Sequence, residues 1–488
     1  MSDGFLYESF RGVDWGVATA DTIAAPPPPP PERGGHFRQW TDDIRQLVGV
    51  TPDSHRMVAG WPRLQPDGPG TWDAEALDRC DRELDALLEL GLRPGLTLLD
   101  RSLPPWLEAT GGWLDRDTAE HFAAYAAELG RRFGDRVTRW ITSTDLAGPT
   151  LADHVAGMYT PGRGIGRAGL PTVHHILLAN GLATQALRAA GVTGRIGTTV
   201  TLVSGYAATD DPFDRLALER LESWTNRLFL DPMLLGEHMV TEDDVSPVEA
   251  TGCVRPGDLE IISTSQDLLG LSWHTPFRVT APENLPRVLP TDKCQSTLNE
   301  VNRLLVGLGF AITPFDDVET TAYGWPILPE ALADGVADLH DLYGDRLPPL
   351  SVIDNGMGDL DLVDETGHSD DARRRALLRA RLSWLGRVIA RGVNVCGYEY
   401  WSVLDNLEAK FRYTRLYTMA VPDHEPPPRP PMPSDWVHGG AFAGPVGSGS
   451  ASGSGSADGP APGLTLVPGA PRGQRGQRGQ RGQSIGAP

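Results

Sequence analysis

Eight runs of apolar and β-branched residues recur along the chain, and longer stretches with helical periodicity separate them. We predict strands over Val13 to Thr19, His55 to Trp61, Arg93 to Asp100, Val137 to Thr144, Arg195 to Val203, Asp267 to His274, Leu350 to Asn355 and Asn394 to Ser402. The predicted helices are Ala74 to Leu90, Thr118 to Phe133, Ile176 to Ala190, Leu216 to Leu230, Glu330 to Tyr343 and Ala372 to Ala390, with Asp117 and Glu120 as a capping box. Strands joined through helices pair in parallel, and eight such units close into a barrel. We therefore predict an α/β fold with a single (β/α)₈ barrel domain.

An open, doubly wound sheet is the structural alternative. Such a sheet would be expected to carry a glycine-rich phosphate loop after its first strand. Here the first predicted strand leads into Pro26 to Pro31, a run that forms extended polyproline rather than a helix. A dinucleotide site is therefore disfavoured.

Composition and charge limit the partners. The 488 residues are 40% hydrophobic, which is enough for a large core, and a barrel with insertions can exceed roughly 400 residues. The formal net charge of -21 would repel phosphate backbones and anionic membranes, so it argues against nucleic acid and lipid partners.

The spacing of the cysteines and the amino-terminal sequence indicate the cellular compartment of the protein. The four cysteines, Cys80, Cys253, Cys294 and Cys396, have no CxxC spacing and are predicted to be reduced thiols rather than disulfides or zinc ligands. The first residues lack a signal-peptide pattern, and no stretch reaches the ~18 apolar residues of a membrane span. We expect a cytoplasmic protein.

The composition changes after about Trp436. Residues 437–488 are rich in Gly, Ser and Pro and end in a Gly-Gln-Arg repeat, which cannot bury enough apolar surface to fold. We expect the barrel to occupy residues 1–436 and a disordered tail to follow it.

Ten segments, in order along the chain, resemble the family 1 glycoside hydrolases, the retaining β-glucosidase and β-galactosidase group. They are WGVAT at Trp15, GWPRLQPDGPG at Gly60, GLRPGLTLLDRSLPPWL at Gly91, GGWLDRDTAEHFAAYA at Gly111, GDRVTRWITSTD at Gly134, NRLFLDPMLLG at Asn226, DLLGLSWHTP at Asp267, YGWPILPEAL at Tyr323, PPLSVIDNG at Pro348 and GYEYWSVLDNLE at Gly397. They run over most of residues 13–436. The resemblance implies the same barrel, a small β-glycoside or sugar as ligand, and no metal or cofactor.

The resemblance also implies two catalytic glutamates, an acid/base in a TLNEP motif after strand four and a nucleophile in a TENG motif ending strand seven. The matching residues here are aspartates, Asp145 and Asp354. Each aspartate withdraws the carboxylate by about 1.5 Å, whereas a retaining pair lies about 5 to 5.5 Å apart. Both withdrawals together could open the gap to about 8 Å, a separation at which inversion through a bound water is the alternative. Shifts of the backbone could restore the shorter separation.

Five of the family's sugar-holding positions carry other residues here. Thr22 stands where the family has a glutamine after strand one, and Asp100 stands where it has a histidine after strand three. Thr144 replaces the asparagine beside the acid/base. Ser272 and Trp273 replace the asparagine-tyrosine pair that ends strand six, and Ala409 replaces the tryptophan after the last glutamate. Two contacts implied by the resemblance are kept: Trp401 as a stacking platform under the sugar, and Glu408 as an acceptor for its hydroxyls.

Asp100 adds a carboxylate to the expected pocket. Crowded carboxylates raise one another's pKa, so they could keep Asp145 protonated, favour an amino sugar, or bind a divalent metal weakly. Neutralisation of Asp100 by the adjacent Arg101 is the simplest outcome, and we expect it.

Three functions agree with these residues. The first is a diverged β-glycosidase with weak activity, in which Asp354 is the nucleophile or base and Asp145 the acid. The second is an inactive barrel that binds a sugar, a glycosylated metabolite or a protein partner. The third is glycosyl transfer from Asp354 to an acceptor other than water.

Overall fold

The structure is a computed structural model that describes residues 8–18, 52–157, 163–285, 301–316, 318–321, 324–357 and 372–400. The strands are β1 (Asp14–Ala18), β2 (Ser54–Val58), β3 (Arg93–Leu99), β4 (Arg139–Ser143), β5 (Arg195–Thr201), β6 (Gly205–Ala207), β7 (Leu268–Ser272), β8 (Phe277–Thr280), β9 (Ala311–Thr313), β10 (Leu350–Asn355) and β11 (Val395–Tyr400). Eight of them form a closed barrel in the order β1-β11-β10-β7-β5-β4-β3-β2. Every neighbouring pair in this barrel is parallel. The predicted barrel and all eight of its strands are confirmed.

Three short strands form a second sheet in the order β6-β8-β9. β6 and β8 follow barrel strands β5 and β7 within a few residues, and β8 pairs antiparallel with β9. The sequence did not predict this sheet, because strands of three or four residues are too short to show a period. It extends the polypeptide beyond the carboxyl ends of β5 and β7.

Helices lie between the barrel strands. Those longer than one turn whose full extent is described are α1 (Trp61–Leu64), α2 (Ala74–Glu89), α3 (Pro105–Thr110), α4 (Asp117–Phe133), α5 (Pro171–Ala189), α6 (Pro212–Glu222), α7 (Leu228–Leu235), α8 (Asp258–Ile262), α9 (Ala331–Tyr343) and α10 (Ala372–Ile389). Shorter 3₁₀ turns occur at Gly112–Leu114, Gly166–Gly169, Glu249–Thr251, Pro282–Asn284, Val306–Leu308 and Gly344–Arg346, and π-helical turns at Gly148–Val155 and Ser223–Arg227.

Two helix predictions need correction. The helix predicted over Leu216 to Leu230 is instead α6 and α7, separated by the π-helical turn Ser223–Arg227. The predicted capping box is wrong, because Asp117 is already inside α4 and its backbone N–H donates to the side chain of Asp115. The preceding short turn places Asp115 at this helix start, which spacing within α4 does not reveal.

The core lies between the barrel wall and the helices. α2 buries Leu77, Cys80, Leu84 and Leu87, the three-and-four spacing of an amphipathic helix. Tyr125 of α4 stacks on Trp61, with ring centroids 5.0 Å apart. Burial of such aromatic side chains contributes on the order of 1.5 to 3 kcal/mol each, so this layer holds the strand ends in place.

Among the described residues, Cys80, Cys253 and Cys396 form no disulfide, and Cys294 lies outside those residues. Among the helices that the structure describes, we find none with the length and apolar character needed to span a membrane. The proline run at Pro26 to Pro31 and the boundary near residue 436 also lie outside these ranges.

Candidate active site

Asp145 and Asp354 lie at the same edge of the barrel. Asp145 follows β4, and Asp354 is the penultimate residue of β10, so both are at the carboxyl ends of parallel strands. This edge holds the active site in characterised barrels of this class. Between them, Ser272 of β7 pairs with Ile353 on one side and with Thr201 on the other.

Both aspartates have a left-handed backbone. Their φ angles are 48° for Asp145 and 57° for Asp354, and the third such non-glycine residue among those described is Asp244. This conformation is uncommon outside glycine, although aspartate tolerates it, and it costs energy that the surrounding structure must offset. Backbone strain therefore coincides with both carboxylates that the sequence singled out.

Asp354 lies against Arg56 of β2. The Arg56 guanidinium donates from Nη2 to Oδ1 of Asp354, and the side chains are 2% and 15% exposed. Burial raises the pKa of Asp354 to about 6; the charge of Arg56 opposes this rise, and those of Glu399 and Asp100 add to it. Asp354 is thus ionised at neutral pH but takes up a proton more readily than an ordinary aspartate.

The barrel interior beneath Asp354 contains alternating charges. Arg56 also donates from Nε to Glu399 of β11 over 2.7 Å, and from Nη1 to Thr97 over 2.9 Å. The other oxygen of Glu399 accepts from Arg139 of β4. Glu399 is fully buried, and a Cβ at Gly16 would lie 2.9 Å from its Cγ, so the glycine leaves room for this side chain. Arg56 is therefore fixed between two carboxylates.

Asp145 has a different set of partners. Its Oδ1 accepts from the backbone N–H of Gly148 over 3.1 Å and from the hydroxyl of Thr201 over 3.0 Å. Its Oδ2 lies 3.2 Å from Nη2 of Arg101. Asp145 therefore has two hydrogen-bond donors at Oδ1 and one positively charged neighbour at Oδ2. Gly148 begins a π-helical turn, a feature often found at functional sites.

Asp100 and Thr144 contact each other. The Thr144 hydroxyl donates to Oδ1 of Asp100 over 2.8 Å. Burial raises the pKa of Asp100, and this hydrogen bond and the charges of Arg101 and Arg56 oppose the rise. Arg101 makes an ion pair with Asp145, and its charge also opposes the raised pKa of Asp100, which is the direction of the expected neutralisation.

The end of β7 contributes Trp273 and His274. Trp273 is 1% exposed, donates to the hydroxyl of Ser204 and lies under the guanidinium of Arg381, so it packs into the barrel wall. His274 lies 3.2 Å from the Ser272 hydroxyl and within electrostatic reach of Asp145 and Arg101. Burial lowers its pKa, so the imidazole is neutral at pH 7.

Four positions named from the sequence, Thr22, Trp401, Glu408 and Ala409, lie outside the described residues. Within the described ranges, no group of three or more His, Cys, Asp or Glu side chains is placed to hold a metal ion.

Sequence reasoning missed Arg56, Glu399 and His274. A usable signal exists for the first two, since each is a charged residue inside a strand that the fold buries on both faces. Buried charges are rare unless they are paired, so two of opposite sign in barrel strands could have been matched. His274 has no comparable local signal.

Comparison with known proteins agrees with this geometry. The family model described as glycosyl hydrolase family 1 matches residues 34–430. A bifunctional β-D-glucosidase/β-D-fucosidase from Bifidobacterium breve is 32% identical over 424 residues, covering 82% of this chain and 86% of that protein.

Solved structures give the same result. The psychrophilic β-glucosidase from Micrococcus antarcticus superposes with a TM-score of 0.71 at 32% identity, covering 84% of this chain and 92% of that one. The β-glucosidase from Thermotoga maritima in complex with deoxynojirimycin has a TM-score of 0.70 at 26% identity, covering 81% and 90%. With the matched family model, the 32% identical relative and the closed barrel, the chain belongs to glycosyl hydrolase family 1.

Proposed function

We propose that the protein is a β-glycosidase that hydrolyses the O-glycosidic bond of small β-glycosides, with Asp354 and Asp145 as its two catalytic carboxylates. The observation that carries the proposal is the pairing of Asp354 with Arg56 at the carboxyl end of a family 1 barrel. The ion pair keeps a buried carboxylate ionised at neutral pH and aims it from the strand end. That is what a nucleophile for the anomeric carbon requires.

In this proposal Asp354 attacks the anomeric carbon to form a glycosyl ester, the bond from that carbon to the aglycone oxygen breaks, and Asp145 as the acid gives that oxygen a proton. Water then attacks the same carbon, and Asp145 takes up the proton of the water. Two relatives of this chain are named β-glucosidase A and thermostable β-glucosidase B, which favours a β-glucoside as the first substrate to test. Trp401 and Glu408 are proposed to hold the sugar, with Asp100, Thr144, Thr22 and Trp273 shaping the pocket.

We expect turnover to be slow. Each aspartate places its carboxylate about 1.5 Å short of a glutamate, and misplacement of about 1 Å can cost on the order of a hundredfold in rate. A separation near 8 Å would favour inversion instead of retention, so the anomeric form of the first sugar product reports the distance between the carboxyl groups.

The test is release of nitrophenol from a panel of nitrophenyl β-glycosides. Asp354→Asn should lower the rate by about a thousandfold or more, because an amide cannot act as the nucleophile. Asp244→Asn is the matched control, since Asp244 has the same φ of 57° but is exposed in the connection between α7 and α8. Activity that survives Asp354→Asn would refute the assignment.

Absence of turnover in the folded wild type, with acceptor alcohols also supplied, would favour the second function, an inactive barrel that binds a sugar. The tight pairing of Asp145 with Arg101 is the observation on its side. In that case deoxynojirimycin, an iminosugar, should still raise the melting temperature. Product that forms only with an added alcohol would instead indicate glycosyl transfer.

A further inference from the structure

The buried charges beneath Asp354 continue to the opposite end of the barrel. Arg56 bridges Asp354 and Glu399. The second oxygen of Glu399 accepts from Nη2 of Arg139, the first residue of β4. Nη1 of Arg139 in turn lies 3.7 Å from Oδ2 of Asp14, the first residue of β1. Side chains of opposite charge therefore alternate from the carboxyl ends of the strands to their amino ends.

Arg139 is held inside the barrel mainly by Glu399. The side chain of Arg139 is 8% exposed and that of Glu399 is 0% exposed, so solvent screens this ion pair little. The distance of 3.7 Å between Arg139 and Asp14 is too long for a hydrogen bond. Among the described residues, Nε of Arg139 has no hydrogen-bond partner. Removal of Arg139 would therefore act first on Glu399.

Glu399 divides its carboxylate between two arginines. Oε2 accepts from Nε of Arg56 over 2.7 Å, while Oε1 accepts from Arg139. The same Arg56 guanidinium donates to Asp354 from Nη2. Without Arg139, the whole negative charge of Glu399 would act on Arg56, and an arginine attracted more strongly to Glu399 would bind Asp354 less well.

We propose that Arg139 is a positioning residue for Asp354 and acts through Glu399, whose charge it balances so that Arg56 stays on Asp354. The inference rests on the proposed function, in which Asp354 attacks the anomeric carbon. Arg139 begins β4, whereas Asp145 follows the other end of the same strand. Arg139 therefore lies away from the edge that carries the two aspartates and reaches the nucleophile only through other side chains.

The charges that face Asp354 set the direction of the expected effect. Burial raises the pKa of Asp354 to about 6, the charge of Arg56 opposes the rise, and the charges of Glu399 and Asp100 add to it. Loss of Arg139 leaves the charge of Glu399 less balanced, so the pKa of Asp354 should rise further. Because Asp354 must be ionised to attack, the acid limb of the kcat/KM profile should move to higher pH.

The first test is the pH profile of kcat/KM for nitrophenyl β-glucoside with Arg139→Gln. We expect the acid limb to move up by about one pH unit and the plateau to fall by about tenfold, because Asp354 is aimed less well. The matched control is Arg195→Gln, since Arg195 pairs with Arg139 in the register of β4 and β5 but is exposed. A lower plateau with an unmoved limb would show a structural role only and would overturn the inference.

A double variant tests the route through Glu399. In a Glu399→Gln background, Arg139→Gln should move the acid limb by much less than it does in the wild type, because the charge that it balances is gone. Equal shifts in the two backgrounds would show that Arg139 acts on Asp354 directly, which contradicts the proposal.

Arg139→Lys keeps the positive charge but not the planar guanidinium, so its acid limb should move up by less than that of Arg139→Gln. The lysine variant also decides the question if Arg139→Gln does not fold. In that case an acid limb at the wild-type position in Arg139→Lys would overturn the inference.

A measurement that needs no turnover separates this inference from the proposed function. Carbon-13 NMR of protein labelled at the aspartate carboxyl groups reports the pKa of Asp354, whose signal is the one missing in Asp354→Asn. A raised pKa in Arg139→Gln, in a protein that hydrolyses no glycoside, would refute the proposed function but support the coupling. Turnover in the wild type with the same pKa of Asp354 in both proteins would refute the inference alone.

Discussion

Asp354 at the end of β10 and Asp145 after β4 have similar backbone φ angles, 57° and 48°, but their side chains meet different surroundings. Asp354 lies over a buried chain of charges in which Arg56 is held between it and Glu399. Asp145 lies just beyond the end of β4, among a backbone N–H, a hydroxyl and the partly exposed Arg101.

The comparison shows how one residue type can take two roles. Burial raises the pKa of Asp354 while an interior arginine keeps it aimed, which suits a nucleophile. Asp145 accepts two hydrogen bonds at Oδ1 and has Arg101 beside Oδ2, so its carboxylate is held by different partners from those of Asp354. Environment rather than residue identity separates the two carboxylates.

The largest expected effect is on the free energy of unfolding, when Arg56 and Arg101 are replaced one at a time. Arg56→Gln would leave Glu399, which is fully buried, and Asp354 without their shared partner, and should lower the free energy of unfolding by about 3 to 5 kcal/mol. Arg101→Gln leaves Asp145 with its hydrogen bonds and access to water, and should cost about 1 kcal/mol or less. Chemical denaturation measures both. Equal losses of unfolding free energy in the two variants would contradict the contrast between the buried Arg56 and the partly exposed Arg101.

The next largest effect is on kcat/KM, and it tests the surroundings of Asp145 alone. Gly148→Ala places a Cβ against Arg101 and Asp145, so the pair must move, and a shift of about 1 Å should lower kcat/KM by on the order of a hundredfold. Gly307→Ala is the control, because nothing lies within 4 Å of a Cβ there. If both variants hydrolyse a dinitrophenyl glycoside at the wild-type rate, the position of the Arg101 pair does not matter for catalysis.

The smallest expected effect is a shift of the pH profile when a charge inside the barrel is removed. The charge of Glu399 adds to the raised pKa of Asp354, which is about 6. Glu399→Gln should therefore lower the pKa of Asp354 and move the acid limb of the kcat/KM profile to lower pH. The plateau should change less than the limb, since Arg56 keeps Thr97 and Asp354 as partners. A pH profile of the variant beside Glu83→Gln, a buried glutamate on α2, provides the measurement. An unmoved limb would show that Glu399 is only structural.

Most of the barrel could be predicted from sequence because its signals are local. All eight barrel strands were located, and the segments around Asp145 and Asp354 marked where two of them end. The capping box at Asp117 and the unbroken helix over Leu216 to Leu230 failed for the opposite reason. A short turn before α4 and a π-helical turn after α6 depend on how the neighbouring elements pack.

The sequence by itself determined the order of strands and helices, the closed barrel and the strand ends that carry the two aspartates. Periodicity and motif order are properties of neighbouring residues, so they can be read along the chain. Only the tertiary structure decided which charges meet: Arg56 is 298 positions from Asp354 and 343 from Glu399. Arg101 forms an ion pair with Asp145 because the ends of β3 and β4 lie side by side in the barrel. Pairing across closed parallel strands is set by register and burial, which sequence spacing does not encode.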